Sequence, residues 1–388
     1  MKKILILGGG FAGIEATISL QKNRQFEVTV VSDRDYLFLY PISIWISTHK
    51  KTFEQAKISL LKLQRKHRFN LSIDTIQKID SQKQMVFGNH QNYSYDYLIV
   101  ALGAHKMKPQ GHEHTLSICG NPEGSMAIGK QLDELLSKGN GKIAMGFGGN
   151  PSDKSAVRGG PAFELIFNVH HYLKEKKLRE NFELTFFAPM EQPGVKMGPS
   201  SLKMLDKMFN QYNIQTRIGK KIVGFAPNQI QFEDQSTLNA DLIMFIPGAT
   251  GHAALKDSDL PLSEANFIQI DDTCLVKGTK NVYAIGDTAA IEGPDWRAKQ
   301  GHLAEAMAKI AAFNIIETEK GSSKRKGYQK HLSIICVMDT GKGAAFILRN
   351  YTKAIIIPLP IVGHWMKLGW GKYARWSKLK LIPRLPGM

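Results

Sequence analysis

Short apolar runs that stop abruptly at glycine set the pattern of this chain. Ile4 to Leu7 is such a run, and it ends at Gly8; beyond the glycines come Ile14, Ile18 and Leu20, which suit a helix lying back on that strand. The pattern predicts strand, glycine turn and helix over residues 3–20. It recurs over residues 142–173, where Lys142 to Met145 leads into Gly146, Gly148 and Gly149, a polar stretch runs from Asn150 to Arg158, and a helix is predicted from Ala162. Further strands are predicted at Val28 to Val31, Tyr97 to Gly103, Leu184 to Phe187, Leu242 to Ile246, Val282 to Ile285 and Leu332 to Val337, with a helix over Ala304 to Ile316.

The first glycine turn has a chemical reason. Gly8, Gly10 and Gly13 stand at G-x-G-x-x-G spacing, enclosing Phe11 and Ala12, after a strand and before a helix. Such a turn brings backbone against a diphosphate at the positive end of the helix. The next strand ends in Ser32, Asp33 and Arg34, where a ribose would be met, and the third carries Ala101 and Gly103. Far downstream, Asn281 to Ala290 (NVYAIGDTAA) sets Gly286 and Asp287 after another strand; the carboxylate can accept a ribityl hydroxyl, and the small residues behind it can open a helix. The two segments together predict a flavoprotein with FAD as cofactor. In the second unit Pro151 takes the third glycine position and the following strand ends in Ala188-Pro189 without a carboxylate, which argues against a nicotinamide nucleotide there. The expected fold class is α/β: two tandem Rossmann-like (FAD/NAD(P)-binding) domains plus a C-terminal membrane-associating region. Residues 1–110 and 251–318 would form the two parts of the FAD domain, 111–250 the second Rossmann-like domain with its degenerate loop, and 319–388 a C-terminal domain with an amphipathic tail.

Composition changes the picture at the C-terminus. The 388 residues are 43% hydrophobic and 22% charged, ordinary for a globular chain, yet the formal charge is +17. From Ala354 onward there are six cations (Lys367, Lys372, Arg375, Lys378, Lys380, Arg384) and no acid, interleaved with Trp365, Trp370, Tyr373 and Trp376. That mixture suits an anionic membrane surface better than nucleic acid. Prolines 358, 360, 383 and 386 interrupt the segment short of the roughly 18 apolar residues a span requires, so the tail is expected to lie on the bilayer. The alternative is an aromatic helix that closes the core. No secretory h-region follows Met1-Lys2-Lys3, which predicts a cytoplasmic protein, peripheral on the inner face of the cell membrane. Three scattered cysteines, Cys119, Cys274 and Cys336, give neither a disulfide scaffold nor a metal site.

With these residues in place, the chain resembles the sulfide:quinone oxidoreductases, relatives of flavocytochrome c sulfide dehydrogenase and type II NADH dehydrogenase. The resemblance spans nearly the whole chain. It rests on Thr29 to Pro41 (TVVSDRDYLFLYP, including Tyr40), Ser117 to Cys119, Gly160 to Leu165 (GPAFEL), Met244 to Pro247, Lys299 to Gly301 (KQG), Leu332 to Phe346 (LSIICVMDTGKGAAF) and the tail from Pro358 to Met388. It implies that sulfide, or a related small sulfur donor, reduces FAD through cysteines beside the flavin, and that a membrane quinone takes up the electrons. Cys336 occupies the position next to the flavin, Cys119 matches the SIC cysteine, Glu164 matches an acid that could shuttle protons to the quinone, and Lys299 matches a cation near the flavin pyrimidine. Cys274 matches no catalytic position and is read as structural.

One departure stands out. Two residues before the Gly-Pro of GPAFEL, where the family carries a second cysteine, this chain has Arg158. Cys119 could pair with Cys336, Cys336 could act alone, or the donor could be another compound, with Arg158 holding an anion. Plainer readings also stay open: a buried thiol for Cys119, an acid settled at a helix start for Glu164, a surface lysine for Lys299. The rival functions are NAD(P)H:quinone oxidoreduction and a non-catalytic flavin-bearing membrane adaptor. A homo-oligomer is compatible with each.

Overall fold

The computed structural model describes residues 1–22, 25–119 and 122–384. Its first half contains β1 (Lys2–Leu7), α1 (Phe11–Leu20), β2 (Phe26–Ser32), β3 (Asn70–Ile73), β4 (Tyr97–Val100), α2 (Pro122–Lys138), β5 (Gly141–Phe147) and α3 (Gly160–Glu175). The second half adds β6 (Phe182–Ala188), α4 (Pro199–Gln211), β7 (Ile214–Ile218), β8 (Leu242–Ile246), β9 (Val282–Ala284) and α5 (Gly301–Glu319). It finishes with β10 (Ile334–Asp339), β11 (Ala344–Arg349), β12 (Ala354–Leu359) and α6 (Val362–Lys378). Short hairpins and 3-10 turns fill the connections.

Two parallel sheets carry the nucleotide-type units. The first has the order β9-β4-β1-β2-β3, every neighbouring pair parallel. The second has the order β7-β6-β5-β8, again all parallel. Parallel strands are covered on both faces and therefore demand continuous apolar runs, which β4 (YLIV) and β8 (LIMFI), both wholly buried, supply. The third sheet, β10-β11-β12, is antiparallel and lies under α6. Mixed α/β architecture is thus as the pattern predicts.

Two local expectations are corrected. The small residues after Asp287 open no helix: Gly286–Thr288 is a 3-10 turn, Ala289–Ala290 pairs with Ile268–Gln269, and α5 starts only at Gly301. The tail also differs from a strip of cations facing outward. Lys367 and Lys378 are 5% and 3% exposed and turned into the protein. Arg384 clasps Glu15 on α1 through two hydrogen bonds of 2.7 and 2.8 Å, while Lys380 donates to the Lys66 carbonyl at 3.0 Å. Residues 385–388, the end of the expected tail, lie outside the described residues. Among the described residues no helix is long and apolar enough to cross a membrane.

Candidate functional site

One cavity of ≈ 1590 Å³ runs between the three sheets. Its lining gathers almost every residue singled out from the sequence: Gly8, Gly10, Phe11 and Ala12 from the first turn, Ser32, Asp33 and Arg34 after β2, and Tyr40, Ala101 and Gly103. From downstream come Cys119, Glu164, Gly286, Asp287, Lys299 and Cys336. Gly13 lies just behind this wall, because a Cβ there would stand 1.9 Å from the Gly8 carbonyl oxygen. That contact is what lets α1 press against β1.

The first turn fits a dinucleotide. Gly8 has φ +112, and its missing side chain would sit 2.3 Å from the Ala101 carbonyl oxygen, so only glycine passes there. At Gly10 nothing stands within 4 Å of where a Cβ would be, and the backbone opens to the cavity. No side chain caps α1 and no acid sits in its first turn. Its leading N–H groups are therefore left for an anion, which is the chemistry of a bound diphosphate. The second loop is closed in on itself. Gly148 donates to the Ile246 carbonyl, the Asn150 amide to Ala249, and Asp153 accepts from the backbone and hydroxyl of Ser155 at 2.7 Å. The polar segment thus satisfies itself where the first loop offers donors.

At the far end of the cavity the chemistry changes. Cys336 sits partly buried on β10, with its thiol pushed up to about 12 by burial and by the Glu164 carboxylate, against the pull of Lys367. Glu164, on the second turn of α3 and 4% exposed, pairs with Lys367 and accepts the Asp339 backbone N–H at 2.7 Å. Burial holds its carboxyl above the usual range despite those partners. Asp339 in turn accepts from the Asn168 amide at 2.9 Å and stands 2.6 Å from the His364 ring. Cys119 is a free, buried thiol, as are Cys274 and, less deeply, Cys336; Cys274 is fully enclosed with its thiol pushed well up. Lys299 is no surface lysine: it is 5% exposed, stands 3.8 Å from the centroid of the Phe267 ring, donates to Ala289, and is held down to about 7 by burial.

Arg158 pairs with Asp287 across the cavity, so the cation in the second-cysteine position is already matched by the carboxylate expected to meet a ribityl chain. That replaces the simple picture of Arg158 as a spare anion holder.

The pyridine nucleotide-disulphide oxidoreductase family matches residues 2–309 of this chain. The chain belongs to that family. As a pyridine nucleotide-disulphide oxidoreductase it is a flavin-dependent enzyme, and FAD is the cofactor that its glycine cradle fits. Sulfide-quinone reductase of Aquifex aeolicus is 25% identical over 403 residues, covering 97% of this chain and 91% of that protein. Type II NADH:quinone oxidoreductase of Haemophilus influenzae is 23% identical, covering 81% and 80%. Among solved structures, the Aquifex aeolicus sulfide:quinone oxidoreductase superposes with a TM-score of 0.88 at 23% identity over 98% of this chain and 92% of that one. The Plasmodium falciparum NDH2 complex with NADH gives 0.78 at 14% identity over 100% and 99%.

Sequence reasoning missed how this oxidoreductase uses its tail. Lys367, read among the membrane cations, is the partner of Glu164, and Asp339 and His364 stand behind that pair, outside the cavity lining. One signal was available, since Lys367 recurs on the helical face that also holds Gly363, Gly371 and Ala374, the small buried positions of α6.

Proposed function

We propose that this flavoenzyme oxidises sulfide, or a related reduced sulfur compound, at Cys336 and delivers the electrons to a membrane quinone. The observation that carries the reading is the cavity itself: one continuous space joins the uncapped α1 terminus to the Cys336 thiol and the buried Glu164–Lys367 pair. When bound, FAD supplies a two-electron acceptor and donor. The chain's residues do the rest. Cys336 would hold the donor sulfur, and because both sulfurs are at the thiol level an S–S bond between them requires the electron pair to pass to the flavin when it is bound and the two protons to leave to nearby bases. The high thiol pKa of Cys336 requires a base, and Glu164, the carboxylate that raises that pKa, lines the same cavity. Glu164 and Lys367 can hold and pass a proton at the quinone end, while Lys299 sets a positive charge in the cavity when protonated. Arg158 takes no sulfur, and the readings left are Cys336 alone or together with Cys119.

Under this reading residues 1–110 and 251–318 form the cofactor unit, 111–250 the second Rossmann-like unit and 319–388 the membrane-facing unit. Attachment rests on apolar insertion more than on charge. Ile361, Val362 and Trp365 are 69%, 62% and 68% exposed and adjoin exposed Ile357 and Met366, whereas of the six tail cations Lys367, Lys378, Lys380 and Arg384 bind to the protein, Arg375 is half-buried and Lys372 is exposed. The protein would sit peripherally on the inner face of the membrane.

The test is anaerobic stopped-flow absorbance of the yellow protein mixed separately with sulfide and with NADH, then with a short-chain quinone. Bleaching by sulfide, reversed by quinone and lost in Cys336→Ala, is expected. Bleaching by NADH alone would assign the protein to NADH:quinone oxidoreduction, and silence with both donors would leave the adaptor reading.

A further inference from the structure

At the opposite end of α3 from Glu164 lies a second cavity of ≈ 350 Å³, to which His170, His171, Lys174, Arg179, Tyr212 and Lys342 contribute. His171 is 5% exposed, and neither of its ring nitrogens has a hydrogen-bond partner. Its neighbours are satisfied. Arg179 donates to His170 Nδ1 at 2.9 Å and to the carbonyls of Phe182, Tyr212 and Asn213 at 2.7 to 2.8 Å, and the Tyr212 ring stacks on His170 with centroids 4.3 Å apart. Burial and the neighbouring Lys342, Lys50 and Lys174 hold His171 neutral, down to about 4, with Glu175 opposing them weakly. A neutral imidazole carries one donor and one acceptor, and leaving both empty in the interior is costly.

Charge narrows what fills the space. Lys50 is neutralised by Glu175 at 3.3 Å, whereas Lys174 and Lys342 have no carboxylate partner among the described residues. Lys174 and Lys342 stand exposed at the mouth of the cavity, as does Glu180 on its rim, and the buried His171 ring forms its floor. Two unmatched ammonium groups beside an imidazole that offers a donor and an acceptor suit a phosphate group: its anionic oxygens meet the lysines and the ring N–H.

Position narrows it further. Lys342 sits in the turn between β10 and β11. Its neighbour Gly341 packs so closely on His171 that a Cβ would lie 2.1 Å from the ring, and Gly343 does the same to the Pro360 carbonyl at 2.4 Å. Pro360 leads directly into exposed Ile361, Val362 and Trp365. The pocket therefore adjoins a strongly exposed apolar edge of the molecule.

We propose that the His171–Lys174–Lys342 cavity binds the phosphate of an anionic phospholipid whose acyl chains lie beside Ile361, Val362 and Trp365. This rests on the membrane-facing reading of the tail given above. The test uses the full-length holoenzyme, with sedimentation on phosphatidylcholine vesicles and on the same vesicles containing phosphatidic acid, and calorimetry with soluble glycerol 3-phosphate. Wild type should favour the anionic vesicles, and Lys174→Gln/Lys342→Gln should weaken that binding about tenfold or more. The same pair of substitutions should remove the calorimetric signal for glycerol 3-phosphate and leave bleaching by the electron donor unchanged. Ile361→Ser/Trp365→Ser should release the protein from both kinds of vesicle and leave glycerol 3-phosphate binding intact. Undiminished binding of Lys174→Gln/Lys342→Gln to anionic vesicles overturns the proposal. Lysine-dependent binding of glycerol 3-phosphate without any preference for anionic vesicles overturns the lipid as ligand. No effect of Ile361→Ser/Trp365→Ser overturns the tail reading separately.

Discussion

Cys336 shares its corner of the cavity with two opposed charges. Glu164 raises its thiol pKa and Lys367 lowers it, with burial adding to the rise. Replacing Glu164 by Gln removes a negative neighbour and leaves the lysine, so the thiol pKa must fall. Alkylation of Cys336 by iodoacetamide at pH 9 should then run about tenfold faster than in wild type, one pKa unit being a factor of ten in thiolate. Lys367→Met should slow it. Mass spectrometry of the Cys336 peptide against time reads both, and equal rates in the three proteins would show that the buried pair does not govern the thiol. At this scale the sequence was informative where a residue's type alone determines its use: Gly8 and Gly13 were legible because no other side chain fits against the Ala101 and Gly8 carbonyls. Lys367 was not, because its partner lies 203 positions away and nothing local distinguishes a lysine on its way inward from one in water.

The same problem, enlarged to an element, explains the tail. Aromatic and basic residues in alternation made α6 look like a surface strip, and apolar spacing on its own does not separate an interfacial helix from a core helix. The structure shows a helix docked along Gly363, Gly371 and Ala374 and exposed along Trp365 and Trp376. What fixes its far end is Glu15 on α1, a carboxylate 1% exposed that receives Arg384 and approaches Lys378 at 3.5 Å. Those cations draw the Glu15 carboxyl below its usual range in spite of burial. Glu15→Gln leaves buried Lys378 with Glu305 alone and frees Arg384, which should cost about 3 kcal/mol of stability, as breaking a buried ion pair does. Urea unfolding reads the loss, and limited proteolysis should cut near residues 379–384 in the variant and spare wild type. Both proteins resisting alike would mean that packing, not charge, holds the tail.

For the molecule as a whole, the acid limb of stability has an identifiable source. His170, His171 and His252 are held down to about 3, 4 and 4, chiefly by burial, against an ordinary value of 6.5. A histidine depressed in the folded state supports the fold fully above its unfolded pKa and withdraws that support as pH falls. The protein should therefore lose stability progressively from about pH 6.5 toward pH 4. His170, which must stay neutral to accept from Arg179, should account for about 2 kcal/mol of the loss by pH 5. His170→Phe, which can still stack on Tyr212, should flatten the slope of melting temperature against pH; an unchanged slope would place the acid sensitivity elsewhere. The α/β class was legible at this scale because parallel strands need unbroken apolar runs, whereas the short antiparallel hairpins gave no comparable signal.

The order of the first sheet also fixes when this protein can fold. Its edge beside β4 is closed by β9, where Val282 lies 184 positions beyond Leu98 in the sequence but is paired with it directly in space. On the ribosome, the first four strands are therefore complete long before their neighbour is synthesised, and the apolar rim of β4 waits through translation of the entire second sheet. A chain released before Val282 keeps that rim bare, an invitation to pair with another nascent chain. Premature termination anywhere in the middle of the message thus yields a sticky fragment rather than a smaller working protein.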